Sequence, residues 1–192
     1  PIIRDRTERF AYTRRYRERY SGGMAHALSQ LWLSPALTDR LVLFDGLRGV
    51  NEVEAAAHHL PKAKFIALSA PDGIRVRRLL GRNDTFDHVQ TSDVPTEHSG
   101  ETFRARFPDA ANLALGEETE NHLIKLLEQG HIVADELTAK LAIVSEERRN
   151  YDPQATVSTL QSIASDRLCL IDTVMNDPAA CAQLILAWIA RS

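Results

Sequence analysis

Three short apolar runs constrain this chain more than any other feature. They are Arg40–Asp45 (RLVLFD), Lys64–Ser69 (KFIALS) and Arg167–Asp172 (RLCLID). Each is continuously apolar rather than alternating, which is the pattern of a strand buried on both faces, as in a parallel sheet. Parallel neighbours need long crossovers between them, usually helical. The intervening sequence supplies helical periodicity, so the runs predict an α/β protein with a parallel sheet. Ligands of such sheets bind beyond the carboxyl ends of the strands. Asp45-Gly46, Ser69–Pro71 and Asp172-Thr173 are therefore expected on one rim.

The rest of the chain fills in around these runs. Pro1–Arg4 is a short candidate strand. Tyr12, Tyr16 and Tyr20 recur every fourth residue in a helical candidate over Glu8–Tyr20, flanked by Arg14, Arg15, Arg17 and Arg19. Met24–Leu33 has helical periodicity and stops before Pro35. Val50–His59 reads as a helix with Glu52 and Glu54 in its early turns, and Pro71-Asp72 opens another that runs to about Arg82. Residues 83–100 are polar and Pro-bearing, so 83–116 is expected to be a lid-like region. Glu101–Phe107, Glu117–Gln129, Asp135–Arg149 and Pro153–Ser165 are further helices, and 117–165 forms a helical embellishment on the expected sheet. Asp177-Pro178 caps a last helix running to about Ile189.

Charge and cysteine content exclude several classes. The 192 residues carry a net charge of −3, which gives no global reason to bind nucleic acid. No apolar run approaches the length of a membrane span. Cys169 and Cys181 lie in apolar surroundings without metal or redox spacing, and read as reduced core residues of a cytoplasmic protein. The histidines have no metal-ligand spacing, and no serine sits in a nucleophile elbow. Of the 23 basic residues 19 are Arg, and the first Lys is Lys62. Arg suits phosphate and carboxylate better than Lys does.

Two motifs bear on chemistry. LVLFDG (Leu41–Gly46) has the Walker B form, in which a strand-terminal Asp orients Mg²⁺ or its water shell. A strand-terminal Asp also caps turns, so Asp45 alone does not decide between the two. In IRVRRLLGR, the residues Arg75, Arg78 and Arg82 are three and four apart and share one helix face. Such a row can offset charge on a transferred phosphoryl group, or form a solvated face with salt bridges. The N-terminal Arg cluster likewise fits either an acceptor's phosphate or the outer face of a helix whose Tyr stripe packs inward.

Extended over LVLFDGLRGVNEVE and KFIALSAPDGIRVRRLLGRNDTFD, the sequence resembles the nucleotide-kinase branch of the P-loop NTPases, near adenylate kinase and dephospho-CoA kinase. YRERYSGGMAHAL is similar to the family's nucleotide-acceptor segment, and RLCLIDTVMNDPAACAQLILAWI to its last strand and helix. The resemblance covers about half the chain. It implies a three-layer parallel sheet and phosphoryl transfer from ATP to a nucleotide or other small molecule, with ATP and Mg²⁺ as cofactors. It also implies roles for residues. Asp45 would hold the metal, and Arg75, Arg78 and Arg82 would stabilise phosphoryl charge. Arg14, Arg17, Arg48 and Glu52 would bind the acceptor, with Asp172 and Thr173 near the nucleotide.

One family element is missing from the sequence. No GxxxxGK[ST] occurs, and no Lys precedes Lys62. The family's sheet order places this phosphate loop after a central strand 1. Residues 1–192 are therefore expected to be a single, N-terminally truncated kinase-like domain lacking strand 1, catalytically inactive by itself. The alternative is a non-catalytic binding protein that retains a degenerate kinase fold.

Overall fold

The computed structural model describes residues 6–37, 40–80 and 102–191. In chain order the elements are α1 (Arg6–Arg19), α2 (Gly23–Ser29), α3 (Val50–His59), β1 (Phe65–Ser69), α4 (Asp72–Leu80), α5 (Phe103–Arg106), α6 (Glu117–Glu128), α7 (Ala134–Asn150), α8 (Pro153–Ile163), β2 (Leu168–Asp172) and α9 (Pro178–Arg191). Short 3₁₀ turns occupy Pro35–Leu37, Pro108–Asn112 and Ser165–Arg167. None of the described helices is long and apolar enough to cross a membrane. The chain divides into two compact units, one of 1–11 and 70–150, the other of 12–69 and 151–192.

The expected three-layer parallel sheet is not what forms. Among the described residues there is one two-stranded sheet, in which β1 and β2 pair in parallel from Phe65↔Leu168 to Ser69↔Asp172. Two of the three apolar runs thus become neighbouring strands. The third does not: Leu41–Asp45 takes neither helical nor strand structure, and its apolar side chains are exposed. The physical reason is that a strand is stable only when its N–H and C=O groups find a ladder. Apolar content makes a segment want burial, but it supplies no partner. The Pro1–Arg4 strand expectation lies outside the described residues.

In the first unit, helical spacing builds the core. Leu137, Leu141 and Val144 recur along one face of α7 and are buried, with Leu123 from α6 and Val76 from α4 against them. Phe103 and Phe107 complete the cluster, their ring centroids 5.0 Å apart. Thr102 caps α5 by accepting from the Ala105 N–H at 3.3 Å.

The second unit has a smaller core of Ala25, Val53, Ala56, Phe65, Leu160 and Ala164. Small residues here let α2, α3 and α8 approach closely. Asp152 caps α8, accepting from the N–H groups of Gln154 and Ala155 at 2.9 and 3.1 Å, with Pro153 at the first helical position. Arg167 donates to the carbonyls of Ala57, Leu60, Pro61 and Ala63 at 3.1–3.2 Å. The Ala57 carbonyl belongs to the last turn of α3, where helical partners run out, and the others to the turn that follows. Lys64 donates to the Ile189 carbonyl at 3.1 Å and lies over the Trp188 ring at 5.4 Å.

Candidate functional site

Within the second unit, one buried carboxylate organises a cluster. Glu52 sits in the first turn of α3 and is 2% exposed. Its Oε1 accepts the Met24 N–H at 3.2 Å, and its Oε2 accepts the Arg48 N–H at 2.8 Å. A charged acceptor makes both bonds stronger than neutral ones. Glu52 therefore ties the loop before α3 to the start of α2. Gly23 permits this approach, because its φ is +49° and an added Cβ would collide with the Glu52 carboxylate.

Two guanidinium groups converge on the Tyr151 ring, one of them beside this carboxylate. Arg17, from α1, places Nη1 4.0 Å from Glu52 Oε1 and donates to the Tyr151 hydroxyl at 2.8 Å. Its guanidinium lies 4.8 Å from the centroid of the Tyr151 ring, and that of Arg48 lies 5.9 Å from the same centroid. Both distances suit a cation over an aromatic face. Nearby on α1 and α2, Tyr16 lies 3.3 Å from His26 Nδ1 through its hydroxyl, and the His26 ring stacks on Tyr20 at 4.5 Å. The Tyr stripe thus packs in part on α2, while Tyr12 is exposed.

The residues read from sequence fall as follows. Arg17, Arg48 and Glu52, assigned to one acceptor site, come together here. Arg14 lies exposed on α1. Asp45 is exposed on the irregular segment of the second unit, whereas Arg75 and Arg78 belong to the first unit. Arg82 lies outside the described residues. Asp172 and Thr173 close a turn at the strand ends. Asp172 Oδ1 accepts the Val174 N–H at 2.7 Å, and the Thr173 N–H and hydroxyl both reach the Ser69 carbonyl, at 3.0 and 2.8 Å. Tyr151 was not among the candidates. It stands alone between Asn150 and the Asp152 cap, with no pattern to flag it.

The first unit holds a second charged cluster, centred on Asp72, which is 1% exposed at the start of α4. Its carboxylate accepts from Arg148 Nε at 3.1 Å to both oxygens, from the Ala114 N–H at 3.2 Å and from Arg75 Nη1 at 3.4 Å. Arg75 also pairs with Glu147. Arg75 is thus engaged within its own unit, joining α4 to α7. Every group in this network has a protein partner, and its geometry is that of a structural tie.

For ATP and Mg²⁺, the cofactors that the resemblance implies, the described residues present no recognised donor set. No phosphate loop motif occurs in the sequence, and Asp45 is exposed away from any strand end. Among the described residues no three His, Cys, Asp or Glu side chains converge to hold a metal ion. Compared with known proteins, the chain matches no family model, no curated protein and no solved structure.

Proposed function

We propose that the second unit binds a small molecule through its phosphate group, a nucleotide being one such ligand, and that it does so without catalysing phosphoryl transfer on its own. The convergence of Arg17 and Arg48 on the Tyr151 ring, beside Glu52, carries this reading. Arg17 lies 4.0 Å from a Glu52 carboxylate whose two oxygens also accept main-chain N–H groups, and the Arg48 guanidinium shares the Tyr151 ring with Arg17. Guanidinium groups bind phosphate with directional, charge-assisted hydrogen bonds. Glu52 acts as a positioning residue: it fixes the two loops from which Arg48 and α2 project. Tyr151 orients Arg17 through its hydroxyl and offers an aromatic surface beside the phosphate position.

Calorimetric titration with inorganic pyrophosphate and with a nucleoside monophosphate tests this. Binding is expected for the wild-type chain, and Arg48→Gln should weaken it by about tenfold, the cost of one charge-assisted contact. Arg48 is exposed, so the substitution spares the core. The absence of binding to either probe, or equal affinities for wild type and variant, would refute the proposal.

A further inference from the structure

In the second unit, Leu31–Leu33 and Leu41–Phe44 carry a load of uncovered apolar surface. Trp32 is 99% exposed, Leu43 79% and Leu41 70%, with Leu31, Leu33 and Val42 each more than half exposed. Uncovered large apolar side chains gathered in two stretches close in sequence are the mark of an association surface.

The charges at its ends indicate the occupant. Leu41–Phe44 is bounded by Arg40 on one side and Asp45 on the other, all six residues exposed or nearly so. Laid antiparallel against a second copy, the basic end of one segment lies beside the acidic end of the other. A parallel arrangement would set Arg40 beside Arg40 and Asp45 beside Asp45, which is unfavourable. Antiparallel apposition about a twofold axis is also the commonest symmetry of protein dimers, and it uses the same patch on both copies. Val42 and Phe44 have the β-branched and aromatic character that suits a paired ladder. The main-chain groups of an irregular segment gain partners in the same step.

We infer that the chain forms a homodimer in which the Arg40–Asp45 segments of two copies meet antiparallel, with Trp32 and its neighbours covered at the same interface. This goes beyond the phosphate-binding proposal and does not depend on it. The two rest on different side chains.

Sedimentation velocity of the full chain at tens of micromolar tests the inference. A dimer is expected. Leu43→Glu should weaken it by tenfold or more, since it buries two carboxylates symmetrically at the contact; tenfold corresponds to about 1.4 kcal/mol. Trp32→Ala should weaken it as well, and both sites are exposed, so folding is preserved and is checked by circular dichroism. Met175→Glu, at an exposed apolar residue elsewhere in the unit, should leave the dimer intact. The arrangement has its own test: Arg40→Asp and Asp45→Arg should each weaken the dimer, and the double exchange should restore it. A monomeric wild type would overturn the inference, whether the stretch is covered by another partner or by none. So would a dimer unaffected by Leu43→Glu and Trp32→Ala. Failure of the double exchange to restore association would overturn the antiparallel order.

Discussion

The two units differ in what they do with their large apolar side chains. The first gathers Phe103, Phe107, Leu123, Leu137 and Leu141 into one buried cluster, and Val133 is its lone large apolar residue exposed among those described. The second builds its core largely from Ala25, Ala56 and Ala164, and leaves Trp32, Leu41, Leu43, Leu68 and Met175 in solvent. A two-stranded sheet covers little surface, so this unit relies on polar ties: Glu52 across two loops, Arg167 under α3, Asp152 at α8. The contrast separates tasks. A unit closed by its own core has little left to offer a partner, whereas one held by hydrogen bonds can keep apolar surface for association.

Core truncations test this contrast most directly. Leu141→Ala in the first unit should cost about 4 kcal/mol, because its surroundings are fully packed and cannot collapse. Leu160→Ala in the second should cost about 2 kcal/mol, at the low end of the range for such changes, since its neighbours are small. Urea denaturation followed by far-UV circular dichroism measures both, and equal losses would erase the distinction between the cores. Between these two in size, Asp72→Ala should cost about 3 kcal/mol, the lower end for breaking a buried pair, because Arg148 and Arg75 keep some access to water. A loss below 1 kcal/mol on the same assay, roughly the value of an exposed pair, would mean that the network contributes little. As small as the Leu160 truncation, about 2 kcal/mol, is the effect expected for Gly23→Ala, from its left-handed conformation and the collision with Glu52. Its telling readout is the phosphate-probe affinity, which should fall with stability if Glu52 positions Arg48, and stay constant if it does not.

Much of the local structure was legible in the sequence. The helix over Val50–His59 forms with the expected bounds, and the runs 64–69 and 167–172 become β1 and β2. Helical periodicity also located α6, α7 and α8, and Pro153 after Asp152 marked a helix start. Long periodic segments and caps are encoded by neighbouring residues, which is why they can be read. Leu41–Asp45 was misread because its composition matches a buried strand, while strand formation depends on a ladder partner that composition does not report. The Met24–Leu33 expectation ran too far for a related reason. α2 ends at Ser29, and Leu31–Leu33 continue the apolar character without the packing.

The resemblance to a nucleotide kinase grouped Arg17, Arg48 and Glu52 as expected acceptor residues, and these three lie near one another in the second unit. Tyr151 carries no such signal, since its contact with Arg17 comes from a chain reversal that returns residue 151 to a helix ending at Arg19. Arg75 shows the opposite case. Its spacing with Arg78 suggested a shared functional face, yet Asp72 and Glu147 engage it, and only the packing of α4 on α7 brings Glu147 within reach.

The placement of tryptophan gives the molecule a built-in asymmetry of signal. Both of its tryptophans, Trp32 and Trp188, lie in the second unit, one in open solvent and the other beneath the Lys64 ammonium. Indole emission from this protein is therefore silent about the packing of Phe103, Leu123 and Leu141. It reports instead on the half of the chain that carries the Arg17–Arg48–Tyr151 cluster and the uncovered apolar side chains. Light from a single chromophore type thus reads out one unit, with a water-soluble quencher reaching Trp32 before Trp188.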